Sequence, residues 1–102
     1  MTEYQLRIYR IKPGAMTEFV KGWREHIVPL REQLGFKVLY AFEHEQNNEF
    51  IWLLSHEGPE GFAGAEAAYY TSPARKSMTW DPSPYTESTE IRILKGILVR
   101  LN

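Results

Sequence analysis

The sequence predicts an α+β domain in which four strands and two helices follow one another in the order βαββαβ. Several short segments alternate with the period of two that is typical of strands, and between them apolar residues recur at helical spacing. The chain has 102 residues, of which 43% are hydrophobic and 25% charged. This composition indicates a folded chain and not a disordered one. We therefore treat residues 1–102 as a single domain.

Charge and cysteine content narrow the classes of function. The chain carries 12 basic and 13 acidic side chains, so its net charge is −1 with neutral histidines, whereas nucleic-acid binding usually needs a basic surplus. Cysteine is absent, which excludes disulfides and cysteine-ligated metal sites. No apolar run approaches the roughly 18 residues that span a bilayer. We expect a cytoplasmic protein with no nucleic-acid or membrane partner.

The first element is a strand over residues 3–11. Alternation there places Arg7 and Tyr9 on one face of the strand, opposite Tyr4, Leu6 and Ile8. The strand is ended by Pro13-Gly14, which follows after one residue.

The second element is a helix over residues 15–34, because its apolar side chains form one stripe. Gly35 suits a left-handed cap at its end. Pro29 lacks an amide donor inside this helix, so we expect a kink one turn before it. The stripe consists of Met16, Phe19, Val20, Trp23, Ile27, Leu30 and Leu34.

A β-hairpin follows, with strands over residues 36–45 and 49–56. Asparagines in the intervening turn tolerate left-handed backbone. Strict alternation predicts that Tyr40 and Trp52 lie on the face toward the helices, and that Leu39 and Leu53 lie on the opposite face.

A second helix, with Phe62, Ala65 and Tyr69 on its apolar stripe, follows Gly58-Pro59. A short helical turn begins at Ser72-Pro73. The last strand is predicted over residues 89–101.

These six elements predict a ferredoxin-like fold with a four-stranded antiparallel sheet. Two helices can cover only one face of such a sheet, yet both faces carry apolar side chains, so the open face needs a partner. We expect a homodimer in which two such faces pack together. The residues assigned to the dimer interface are Arg7, Tyr9, Leu39 and Leu53. The alternative for Arg7 and Tyr9 is to bind an anionic ligand in the barrel, and the interface role is favoured.

Several segments in order resemble the NIPSNAP-like proteins, a family within the dimeric α/β-barrel superfamily. They span about residues 4–95, and they are Tyr4 to Tyr9, Lys12-Pro13-Gly14, Trp23, His26, Pro29-Leu30-Arg31, Gly35-Phe36, Tyr70 to Pro73, and Ile91 to Leu94. The sequence departs from the family at Arg75, where the family often has Trp, and at His56, where it often has Tyr.

The resemblance implies a dimeric α/β barrel but no catalytic residue, because the family has no agreed ones. Wider relatives in the superfamily include cofactor-independent monooxygenases, haem-dependent enzymes, isomerases and stress-response proteins. Fold alone therefore leaves the function open.

Two side chains are candidates for acid–base chemistry. His26 lies one helical turn from Trp23 at the edge of the apolar stripe, where it is either a general base or a boundary residue with one nitrogen in water. Glu66 lies beside the apolar stripe of the second helix. It is either an acid or base whose proton affinity is raised by burial, or a structural residue that reaches solvent or pairs with an arginine, and the structural role is favoured.

A metal site is not expected. Glu43, His44 and His56 are conceivable ligands, but their spacing matches no metal motif. We therefore expect no metal, haem or other cofactor.

The sequence predicts a pocket between the first helix and the sheet, lined by Trp23, Tyr40, Trp52 and Tyr69. The favoured hypothesis is that this pocket binds a small apolar or aromatic molecule. The alternative is a cofactor-independent monooxygenase or an isomerase that uses His26 as its base.

Overall fold

The computed structural model of the chain describes residues 2–100 and confirms the predicted order βαββαβ. All neighbouring strands are antiparallel, and their order across the sheet is β2-β3-β1-β4. This is the ferredoxin-like arrangement. The strands are β1 (Glu3–Ile11), β2 (Phe36–His44), β3 (Glu49–His56) and β4 (Thr86–Lys95).

Helices cover one face of the sheet. They are α1 (Met16–Gly22), a π-helical turn (Trp23–Ile27), α2 (Val28–Gln33), α3 (Gly61–Thr71) and α4 (Pro73–Lys76), with 3-10 turns at Glu45–Asn47 and Ser83–Tyr85. Among the described residues, no helix has the length and apolarity needed to cross a membrane.

The distortion expected before Pro29 takes the form of the π-helical turn. Pro29 has no N–H, so the carbonyl of Glu25 lacks its usual partner four residues later. The N–H of Val28 instead reaches the carbonyl of Trp23, five residues back. This turn joins α1 to α2 in one continuous helical segment.

A β-bulge in β2 overturns the predicted position of Tyr40. Val38 pairs with Leu54, but Tyr40 pairs with Leu53, so β2 has one extra residue, Leu39, at this point. The extra residue reverses the alternation that follows. Tyr40 therefore lies on the face opposite the helices, where 63% of it is exposed.

The prediction that Arg7 and Tyr9 lie on the open face of the sheet is wrong. Both are buried on the face that the helices cover, with exposures of 5% and 8%. Alternation correctly predicted that the two residues share a face. Leu6 and Ile8 on the other face are more apolar, and that face was therefore wrongly assigned to the core. Arg7 enters the core because charged and polar side chains there receive it.

The last strand ends earlier than predicted. β4 stops at Lys95, and Ile97, Leu98 and Val99 form no strand and are exposed. The N–H of Gly96 bonds to the carbonyl of Thr2, which ends the pairing with β1. The predicted strand also included Leu101, which lies outside the described residues.

Trp80, in the loop after α4, packs across the first helical segment. Its ring lies 5.8 Å from that of Phe19 and stacks on Tyr85 at 5.6 Å between ring centroids. Gly22 makes this approach possible, because a Cβ on Gly22 would collide with the indole of Trp80. The loop is thereby held against the helix.

We predict that the Gly22→Ala substitution lowers the free energy of unfolding by about 1–3 kcal/mol, since overpacking must displace Trp80. In a Trp80→Ala background the same substitution should raise it by about 0.5–1 kcal/mol, because alanine is the better helix former. Chemical denaturation of the four proteins measures both effects. Equal effects of Gly22→Ala in the two backgrounds would contradict this account of the packing.

Candidate functional site

A cavity of about 230 Å³ lies between the helices and the sheet. Three of the four aromatic residues predicted to line a pocket do line it, namely Trp23, Trp52 and Tyr69, whereas Tyr40 does not. Its other walls are unexpectedly basic, because Arg7, Arg31 and Arg75 also line it.

The π-helical turn aligns the helical wall of this cavity. Phe19, Trp23, Ile27 and Arg31 all line it at intervals of four residues. In a regular α-helix, twelve residues at about 100° each would turn Arg31 about 120° away from Phe19. The extra residue of the π-helical turn offsets most of this drift, and Arg31 therefore faces the same cavity as Trp23.

Arg7 is held by a hydrogen-bond network across the centre of the sheet. Its Nε donates to the Tyr9 hydroxyl at 2.6 Å, and its terminal nitrogens donate to Gln5, Glu66 and Tyr70 at 2.8, 3.3 and 3.2 Å. Burial alone would lower the pKa of Arg7, but the neighbouring tyrosine hydroxyls and the Glu66 carboxylate raise it. Arg7 is therefore a permanent positive charge in the core.

Arg31 is the second buried cation of the site. Only 1% of it is exposed, and its guanidinium carbon lies 3.7 Å from the ring centroid of Tyr69 and 4.7 Å from that of Phe36. Contact with aromatic faces stabilises a desolvated guanidinium. Burial raises the pKa of Tyr69 despite the opposing charges of Arg31 and Arg75, so Tyr69 keeps its hydroxyl proton at neutral pH.

Glu66 of α3 is the counter-ion of both buried arginines. One carboxylate oxygen accepts from Arg31, and the other accepts from Arg7 at 3.3 Å. Of the two roles open to Glu66 from the sequence, the structure therefore shows the arginine partner. Because both oxygens are held by guanidinium groups, Glu66 is poorly placed to accept a proton from a ligand.

Four buried N–H groups that belong to residues lining the cavity have no hydrogen-bond partner within residues 2–100. They are the indole N–H groups of Trp23 and Trp52 and the Nε–H groups of Arg31 and Arg75. Unpaired buried donors are rare in native proteins, and each costs roughly 1–3 kcal/mol. Their concentration in the residues that line one cavity makes this cavity the candidate site for a ligand with hydrogen-bond acceptors.

The rim of the cavity is formed by the loop that follows Trp80 and by β4. Asp81, Pro82 and Ser83 contribute to it from the loop, and Thr86 and Thr89 contribute from β4. The rim is thus more polar and more exposed than the interior.

His26, the proposed general base, does not line the cavity. Its ring is half-buried and stacks on Trp80, with ring centroids 6.0 Å apart and planes within 9° of parallel. The π-helical turn directs Trp23 and Ile27 toward the sheet and leaves His26 beneath the loop. A role as a base in this cavity is not supported, and the boundary position matches the structure.

The conceivable metal ligands do not assemble. His44 contacts Glu49 at one end of the hairpin, while His56 pairs in register with Phe36 at the other end. His56 instead contacts Glu60 at 3.4 Å and accepts a hydrogen bond from the N–H of Gly58. Among the described residues there is no group of three or more His, Asp or Glu that could hold a metal ion.

Sequence reasoning missed Arg31 and Arg75, which make the cavity basic together with Arg7. Arg31 follows Trp23 and Ile27 at the same spacing of four residues. This spacing places Arg31 on the same face of the helix, but a search for apolar residues alone passes over it. In the sequence, Arg75 stands out only as a departure from the NIPSNAP-like pattern. Nothing in the local pattern places it beside Tyr70, whose ring centroid lies 5.4 Å from the Arg75 guanidinium.

Solved structures of several bacterial proteins share this fold. A NIPSNAP domain protein from Burkholderia xenovorans superposes with a TM-score of 0.83 at 18% identity, covering 98% of this chain and 99% of its own. A NIPSNAP family protein from Agrobacterium tumefaciens gives 0.82 at 21% identity, covering 95% and 94%. A candidate antibiotic biosynthesis monooxygenase from Bacteroides thetaiotaomicron gives 0.72 at 18% identity, covering 99% and 94%.

These identities establish a shared fold and leave the reaction open. A search of curated protein sequences finds no match. The NIPSNAP family model, however, matches residues 4–95, which is nearly the whole chain and the extent of the resemblance seen in the sequence. The chain belongs to the NIPSNAP family, and the solved relatives include proteins of unknown function.

Proposed function

We propose that this protein binds a small organic anion, with one acidic head group and an apolar or aromatic body, in the cavity between helices and sheet. The observation that carries the proposal is the set of four unpartnered N–H donors on Trp23, Trp52, Arg31 and Arg75, four residues that line one cavity. An anionic oxygen is the acceptor that such donors bind most strongly.

Charge supports an anion over a neutral ligand. The cavity is lined by three guanidinium groups, and the carboxylate of Glu66 already serves Arg7 and Arg31. Arg75 makes no ion pair among the described residues. A carboxylate would therefore find both a positive potential and unused donors.

The remaining walls support an apolar body of limited size. Phe19, Trp23, Trp52 and Tyr69 present rings to the cavity, and flat rings pack well against one another. A volume of about 230 Å³ is below the roughly 300–1,000 Å³ of sites for drug-sized molecules. A substituted benzoate is of suitable size and chemistry.

The positions of the candidate acid–base groups favour binding over the monooxygenase or isomerase alternative. His26 lies outside the cavity beneath Trp80, and both oxygens of Glu66 accept from guanidinium groups. Similarity in fold to a candidate monooxygenase does not by itself supply a catalytic acid or base.

We further propose that the protein is a homodimer that pairs the open faces of two sheets. Tyr40 and Phe42 on that face are 63% and 56% exposed, and Leu53 lies between their strand and β1. The charges of Glu90 and Arg92 on β4 neutralise each other within one chain. A two-fold contact would bury this face in both copies at once.

Titration calorimetry with benzoate tests the proposed ligand class. We expect Arg75→Gln to weaken benzoate binding about tenfold or more, because a charge-assisted hydrogen bond is lost. Lys76→Gln, which removes the same charge from the next, exposed residue, should change the affinity less than about twofold. Benzamide, which is uncharged, should bind more weakly than benzoate. Absence of benzoate binding to the unmodified protein, or equal binding of benzamide, would refute the proposal.

Sedimentation velocity tests the dimer. Leu53→Asp should raise the dissociation constant of the dimer about tenfold or more, because an unpaired charge would be buried at the contact. Thr17→Asp, at an exposed position on α1, serves as the control and should leave association unchanged. A folded monomer of the unmodified protein at micromolar concentration would disprove the dimer.

A further inference from the structure

Asp81 places one negative charge at the rim of the otherwise basic cavity. The residue is exposed, whereas Arg7 and Arg31 at the inner end are only 5% and 1% exposed. The cavity therefore has a positive inner end and a negative outer end. The proposed function uses the guanidinium groups and gives no part to the Asp81 carboxylate.

Ser83 holds the Asp81 carboxylate in place. The Ser83 N–H donates to Oδ1 of Asp81 at 3.0 Å, and the Ser83 hydroxyl donates to Oδ2 at 2.9 Å. With one bond to each oxygen, the carboxylate is oriented by the turn and does not swing freely as an isolated surface acid would. Pro82 between the two residues restricts the backbone further.

The Asp81 carboxylate stays ionised at neutral pH. The hydrogen bond from the Ser83 N–H lowers its pKa most, followed by the bond from the Ser83 hydroxyl, and the charge of Arg75 adds to this effect. A ligand that enters the cavity thus passes a fixed negative charge at the rim.

Three guanidinium groups against the carboxylates of Glu66 and Asp81 leave one net positive charge around the cavity. One anionic head group neutralises it. A second acidic group at the other end of the ligand would meet Asp81, and like charges brought together across a binding site are costly.

We infer that Asp81 determines which end group the ligand carries. The cavity accepts monoanions whose outer end is a hydrogen-bond donor or a cation, such as an amino or hydroxyl group, and it rejects dianions. This inference rests on the proposed function, because it requires an anionic head group at the inner end.

Three ligands with the same ring and head group test this inference. They are benzoate, 4-(aminomethyl)benzoate, which carries a cation at the outer end, and terephthalate, which carries a second carboxylate. Titration calorimetry at neutral pH should show that the unmodified protein binds 4-(aminomethyl)benzoate about tenfold or more tightly than terephthalate.

Asp81→Asn should reduce this preference to about threefold or less, and the affinity for benzoate should change less than the affinity for terephthalate. Asp81→Glu, which restores the charge, should recover most of the preference. Glu18→Gln, at an exposed position on α1, controls for the overall loss of one negative charge. Thermal unfolding of each variant establishes that it is folded.

The outcomes separate the two proposals. If benzoate binds but the unmodified protein does not distinguish the two charged ligands, the role of Asp81 is refuted and the anion site stands. An equal shift for all three ligands on Asp81→Asn also refutes it, since that is a general effect of charge. If none of the three ligands binds, the anion site itself is refuted, and the inference about Asp81 falls with it.

Discussion

The carboxylate of Glu66, shared by Arg7 and Arg31, is the interaction on which the rest of the structure depends. It joins three elements that are distant in sequence, because Arg7 lies on β1, Arg31 on α2 and Glu66 on α3. The two arginine side chains are only 6% and 2% exposed. Without a counter-ion, two desolvated cations at the centre of a small domain would be strongly destabilising.

Burying two arginines and a glutamate costs free energy of desolvation, so this ion-pair network is an inefficient way to stabilise a fold. Buried ion pairs contribute little net stability compared with well-packed apolar residues of similar volume. Here the pair is also accompanied by unsatisfied donors on Trp23 and Trp52. Natural proteins tend to break packing and hydrogen-bonding rules at functional sites. The cost of this polar cavity to the fold supports the proposal that its role is to bind a ligand.

Sequence patterns alone determined the fold and the approximate place of the site. Periodicity located all four strands and the helices, because each period reflects a backbone geometry that is local. The order of these elements then left the ferredoxin-like arrangement as the consistent topology. The apolar stripe of the first helix identified Trp23 as a residue that faces the sheet. The alternation in the hairpin and the stripe of the second helix identified Trp52 and Tyr69 as its neighbours.

Tertiary structure decided the chemistry of the site. An extra residue at Leu39 reversed the alternation and moved Tyr40 to the opposite face, and no local pattern distinguishes such a bulge from a regular strand. Arg7 is held in the core by Tyr9 and Gln5 of its own strand and by Glu66 and Tyr70, which lie 59 and 63 residues away. A charge is buried only where folding brings a partner close to it, and that partner can be distant in sequence. Residue periodicity therefore determined where the cavity lies, and long-range pairing determined that it is basic.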